Sequence, residues 1–108
     1  MSEYFFVQSQ DPYTETRTGY QYQLMQSLHD AGHKVCVLLV QNGVSPARHA
    51  AQSPVFDKLL SSGVKILADE FSLRQREIAS AALKSRVDLG SVDLVIDAML
   101  SGNKVIWN

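Results

Sequence analysis

The sequence predicts a parallel α/β sandwich, and three observations carry that prediction. The run Val35–Val40 (VCVLLV) is continuously apolar, the pattern of a strand covered on both faces inside a parallel sheet. A helix-period segment closed by Gly32 precedes it, and the polar turn Gln41-Asn42-Gly43 carries the backbone off its end. Strand-like and helix-like segments alternate along the rest of the chain at spacings that suit crossover connections. At 108 residues the chain suits one domain with a real core.

Glu3–Gln8 (EYFFVQ), aromatic and β-branched, is the first expected strand. The loop Ser9–Thr14 follows, turned by Asp11-Pro12. A helix is then expected from about Glu15 to Ala31, capped by Thr14 or Thr16, with Gly19 weakening its first turn and pushing its start later. Tyr20, Leu24, Leu28 and Ala31 recur at helical spacing and define its apolar face, with Met25 beside them and Tyr22 projecting off it. After the Val35–Val40 strand, Ser45-Pro46 reads as a cap and first-turn proline opening a short helix, Ala47–Gln52. Ser53-Pro54 repeats the signature and opens Val55–Ser61, with Phe56, Leu59 and Leu60 inward, up to Gly63. Val64–Ala68 is the next strand, and Ser72 is placed to cap a helix from Leu73 to about Lys84. Val87–Leu89 reads as a very short strand or as irregular chain, so the sheet has four or five strands. Ser91 caps a last helix through Leu100 whose apolar face is Val92, Val95, Ile96 and Met99, and Lys104–Trp107 closes the chain as a strand.

Composition excludes several classes. Net charge is −1 with scattered Lys and Arg, so no basic stripe marks a nucleic-acid partner. No apolar run reaches the roughly 18 residues of a membrane span, and MSEYFFVQSQ lacks the basic start of a signal peptide. The single cysteine, Cys36, rules out an intramolecular disulfide and fits a reducing cytoplasm, the expected location. There is no G-x-G-x-x-G after the first strand and no G-x-x-x-x-G-K-[ST], so neither dinucleotide nor P-loop chemistry is supported, and no cofactor is expected. Asp11 and Asp69 evoke a phosphate-receiving carboxylate cluster, but a lysine ending a later strand is missing. His29 and His33 are four apart, yet Gly32 intervenes and no second ligand pair lies near, so no metal site is expected. His49 reads as a surface residue, and Cys36, flanked by valines in mid-strand, as a packed, protonated thiol.

The order of motifs resembles the DsrE/DsrF-like family of small sulfur-relay proteins, which includes the subunits of the TusBCD complex. The matching features are the PYT loop after the first strand, AGHKVCVLLVQNGV, the GVKI strand, and DLGSVDLVIDAMLSGNKVIWN, so the likeness runs nearly end to end. It implies a three-layer α/β/α sandwich with a mostly parallel sheet, and homo- or hetero-oligomers, often trimers or hexamers. Sulfur-carrying members place a cysteine just after the third strand; here GVKILADEF puts Asp69 or a neighbour at that place, and no cysteine occurs from Val64 to Asn108. A carboxylate cannot carry a persulfide, which needs a polarisable thiolate. The resemblance therefore implies a non-catalytic, oligomeric, partner-binding subunit of sulfur-relay type, as in relay subunits that also lack the cysteine.

Ligands of open parallel sheets sit beyond the carboxyl ends of the strands. The candidate site residues are therefore Ser9, Asp11 and Tyr13 after the first strand, Gln41 and Asn42 after the second, and Asp69, Glu70 and Arg74 after the third. The competing function is a small-molecule-binding protein or minor enzyme using that edge through Asn42, Asp69 and Glu70.

Overall fold

A computed structural model of the chain describes residues 2–108. Five strands, β1 (Glu3–Gln8), β2 (Lys34–Leu39), β3 (Lys65–Asp69), β4 (Val87–Gly90) and β5 (Lys104–Trp107), form one sheet in the order β4-β3-β2-β1-β5. Every pairing is parallel, and the stretch around Val87–Leu89 is an edge strand. The helices are α1 (Thr18–Asp30), α2 (Pro54–Ser61), α3 (Glu70–Gln75) and α4 (Asp93–Leu100). None is long and apolar enough to cross a membrane.

Strand alternation sends neighbouring side chains to opposite layers. Phe6, Val37, Leu39 and Ile66 pack with Tyr22 and Met25 of α1, Phe56 and Leu59 of α2, and Leu73 of α3. Phe5, Val7, Leu38 and Leu67 face Val95 and Ala98 of α4. The expected three-layer arrangement is thus present, with an uneven division: one eight-residue helix serves the second layer.

Four elements differ from the sequence reading. Helix α1 begins at Thr18 without a side-chain cap, and its buried face is Thr18, Tyr22 and Met25; Tyr20 is 72% exposed and Tyr22 only 2%. Both faces satisfy helical spacing, and tertiary contacts decide between them: the Thr18 hydroxyl donates to the Asp11 carbonyl, and Tyr22 meets Phe56 edge-on at 5.7 Å. Pro46 lies inside a 3-10 helix, Gln41–Ala47, and no helix occupies 48–52. That stretch instead bridges antiparallel to the chain at Leu83, with the Lys84 amide donating to the Ala47 carbonyl. Helix α3 starts at Glu70, capped by Asp69 rather than Ser72, and stops at Gln75. Glu77, at φ 56°, turns the chain left-handed, and the Ile78 amide returns to the Leu73 carbonyl, a C-terminal stop usually signalled by glycine. Finally, α4 buries Val95 and Ala98, leaving Val92, Ile96 and Met99 exposed.

Candidate functional site

The ends of β1, β2 and β3 meet at one rim, built from β1 outward. Gln8 is fully buried; its Nε2 donates to Gln21 Oε1 at 2.7 Å, while its Oε1 has no partner. Asp11 anchors the following loop. Its Oδ1 accepts from the Tyr13 and Thr14 amides, both at 2.8 Å, and its Oδ2 accepts from the Thr14 hydroxyl at 3.0 Å. Burial by itself raises the Asp11 carboxyl, but the hydrogen bonds from Thr14 and Tyr13 outweigh it and hold the group below the usual carboxylate range. Ser9 is spent elsewhere: its amide and hydroxyl both donate to the main-chain oxygen of Asn108, which closes the gap between β1 and β5.

The β3 end is tied to the β2 end by a continuous chain of hydrogen bonds. Asp69 Oδ2 accepts from the Ser72 amide (3.0 Å) and hydroxyl (2.7 Å). The Ser72 hydroxyl in turn accepts from the Gln41 amide at 2.8 Å, which secures Gln41 at a left-handed φ of 52°. Arg76 then donates from Nη1 to the Ser72 carbonyl (3.2 Å) and from Nη2 to Asn42 Oδ1 (3.1 Å).

Of the sequence candidates, Asp11, Tyr13 and Asn42 line one open cleft of about 370 Å³ at this rim. Gln41 contributes through its backbone, and Asp69 is buried beneath Ser72 as a helix cap. Glu70 and Arg74 are exposed and pair with each other at 4.0 Å, a contact worth little in water. Sequence reasoning missed Ser45, Arg48 and Arg76, which line the same cleft with Thr14 and Ile78. The residue types were visible, but the expected helices 47–52 and 73–84 made both arginines ordinary helix-surface cations. Among the described residues no three His, Cys, Asp or Glu side chains come together as a metal would require.

Cys36 lies in mid-β2, paired with Phe5 and Lys65, and packs beside the α4 layer. Burial pushes its thiol up, only partly offset by Lys65 and Lys34. Less thiolate then exists at neutral pH, so a thiol reagent should label the native protein more slowly than the urea-unfolded chain. Cys36→Ala should cost about 1 kcal/mol. Labelling of the native protein at the unfolded rate would contradict this packing.

An all-parallel three-layer α/β domain with a nitrogen- and oxygen-lined rim, and its one thiol in mid-strand, is the class defined so far. The DsrE/DsrF-like family matches residues 2–107, and the chain belongs to that family. No curated protein matches the chain. Among solved structures it is similar to the YchN protein of E. coli, with TM-score 0.86 and 16% identity over 100% of both chains. It is also similar to MTH1491, a protein of unknown function from Methanobacterium thermoautotrophicum, with TM-score 0.81 and 20% identity over 99% of this chain and 98% of that one. BT1422 of Bacteroides thetaiotaomicron, likewise of unknown function, gives TM-score 0.78 and 15% identity over 99% and 95%. At these identities the likeness establishes the fold.

Proposed function

We propose that this chain is a non-catalytic, partner-binding subunit of sulfur-relay type, working as a homo-oligomer, trimeric or hexameric, in the cytoplasm. The observation that carries the reading is the fate of Asp69. At or beside the place where the resemblance puts a sulfur-accepting cysteine, this chain has a buried carboxylate committed to capping α3. The one cysteine in the sequence is packed in mid-β2. Neither group offers a thiolate at the rim, so sulfur would pass to cysteine-bearing partners of the same fold rather than to this subunit.

The thin second layer supports assembly. Val92, Ile96 and Met99 recur at i, i+4 and i+7 on the solvent side of α4, and Trp107, in register with Val7 on the same sheet face, is 59% exposed. Tyr22, which the sequence reading set off the apolar face of its helix, is core and takes no part in such a surface. A second copy covering α4 would bury this stripe and complete the layer.

Light scattering should give a mass of three times 12.0 kDa or a multiple of it. Ile96→Glu, on an exposed face, should shift that mass to the single chain without unfolding it. With a cysteine desulfurase and cysteine, the wild type should gain no sulfur mass. A monomeric wild type defeats the assembly, and stoichiometric persulfide on Cys36 defeats the non-catalytic role.

A further inference from the structure

We infer that the cleft over the ends of β1–β3 is a binding site for a small oxyanion, a phosphate or carboxylate group, held between Arg48 and Arg76. Donors outnumber acceptors in this cleft. The four ion pairs among the described residues are Arg17–Glu15, Lys34–Glu3, Arg74–Glu70 and Lys84–Asp57, so neither cleft arginine has a carboxylate partner. Arg48 commits only its Nε, to the Ser45 carbonyl at 2.8 Å, leaving both terminal nitrogens free. Arg76 is held at two points, by the Ser72 carbonyl and Asn42 Oδ1, which pre-sets the orientation of its planar fork.

The uncharged groups add to the same surplus. Because Asn42 turns its Oδ1 to Arg76, its amide NH₂ remains available to donate, and the Ser45 hydroxyl has no hydrogen-bond partner among the described residues. The one carboxylate lining the cleft, Asp11, already accepts three hydrogen bonds from Tyr13 and Thr14. Its oxygens are turned into its own loop and it pairs with neither arginine, so the two guanidinium charges of the lining outnumber its one. Two guanidinium groups with spare N–H donors, flanked by neutral donors, fit the oxygens of a phosphate or carboxylate. Tyr13 and Ile78 give the cleft apolar wall for the remainder of such a ligand, and about 370 Å³ is within the range of small-molecule sites.

The test uses the full chain and inorganic phosphate, titrated at constant ionic strength and followed by amide chemical shifts. Saturable shifts are expected at Asn42, Ser45, Arg48 and Arg76, weakening as chloride is raised. Arg48→Gln removes one fork from an exposed side chain whose only bond is to Ser45, and should weaken binding by about tenfold or more with the spectrum otherwise intact. A parallel succinate titration separates the sources: saturation by succinate alone makes the site a carboxylate site, and saturation by phosphate alone a phosphate site. Absence of saturable shifts with both probes overturns the proposal, as does undiminished binding by Arg48→Gln. Assembly is read separately by mass, so either reading can fail while the other stands.

Discussion

Gly43→Ala is expected to lower stability by about 3 kcal/mol or more, the largest effect of an alanine at any glycine of this chain. A Cβ at Gly43 would lie 2.1 Å from the Gln8 carbonyl oxygen and 3.0 Å from its carbon. Neither atom can yield cheaply. The same carbonyl accepts the Val40 amide at 3.0 Å, and Gln8 is a fully buried strand end. The turn after β2 must therefore move, and with it the Gln41 amide and Asn42. Gly19→Ala is the matched control. It lies in α1, where an added methyl would meet nothing within 4 Å, and should raise stability by about 0.5–1 kcal/mol through helix propensity. Urea unfolding of the two variants measures both. A Gly43→Ala midpoint within error of wild type would show that the β1–β2 rim is looser than its contacts require.

The fold was legible because it rests on strong local signals. Val35–Val40, Ser53-Pro54 and the Gly32 and Gly63 stops each specify one element by backbone chemistry or by burial on both faces, and each stands within a residue or so of expectation. Failures cluster where two patterns compete. Helix α1 carries aromatic residues on opposite faces, Tyr20 and Tyr22, and periodicity alone ranks them equally. The choice falls to Phe56 and Asp11, distant in sequence from the helix face they select. Likewise, residues 73–84 are good helix formers, and the left-handed turn at Glu77 has no glycine to announce it.

The rim was half legible for a related reason. Topology alone placed Asp11, Tyr13 and Asn42 beyond the carboxyl ends of the strands, and these three share the cleft. The arginines escaped because their positions depend on the two segments whose structure differs from expectation. Arg76 reaches the rim only because α3 stops early, and Arg48 because the chain leaves the 3-10 helix there and bridges to Leu83. Sequence adjacency also misleads in the opposite sense. Asp69 and Glu70 looked like a pair of carboxylates, yet one is buried and the other is solvated, since strand and helix turn them to different environments.

Asp69→Ala should cost about 2–4 kcal/mol, and the reason is the network above rather than any lost charge. Removing the carboxylate leaves the Ser72 amide and hydroxyl protons buried without their acceptor, at about 1–3 kcal/mol each, and uncaps α3 for about 1 kcal/mol more, the terms being partly redundant. Ser72 would then be free to rotate away from the Gln41 amide, which it holds at its left-handed φ. Asp69→Asn keeps an oxygen acceptor at the same place, so it should lose about 1 kcal/mol. Asp69→Cys should resemble alanine instead, because sulfur is a weak acceptor. Installing a thiol here would thus be opposed by the fold unless Ser72 changed as well. A double-mutant cycle with Ser72→Ala decides the matter: the pair should be coupled by about 1 kcal/mol or more, the second substitution adding little to the first. Additive losses, or an asparagine variant as unstable as alanine, would mean that Asp69 acts through its charge and not through its hold on Ser72.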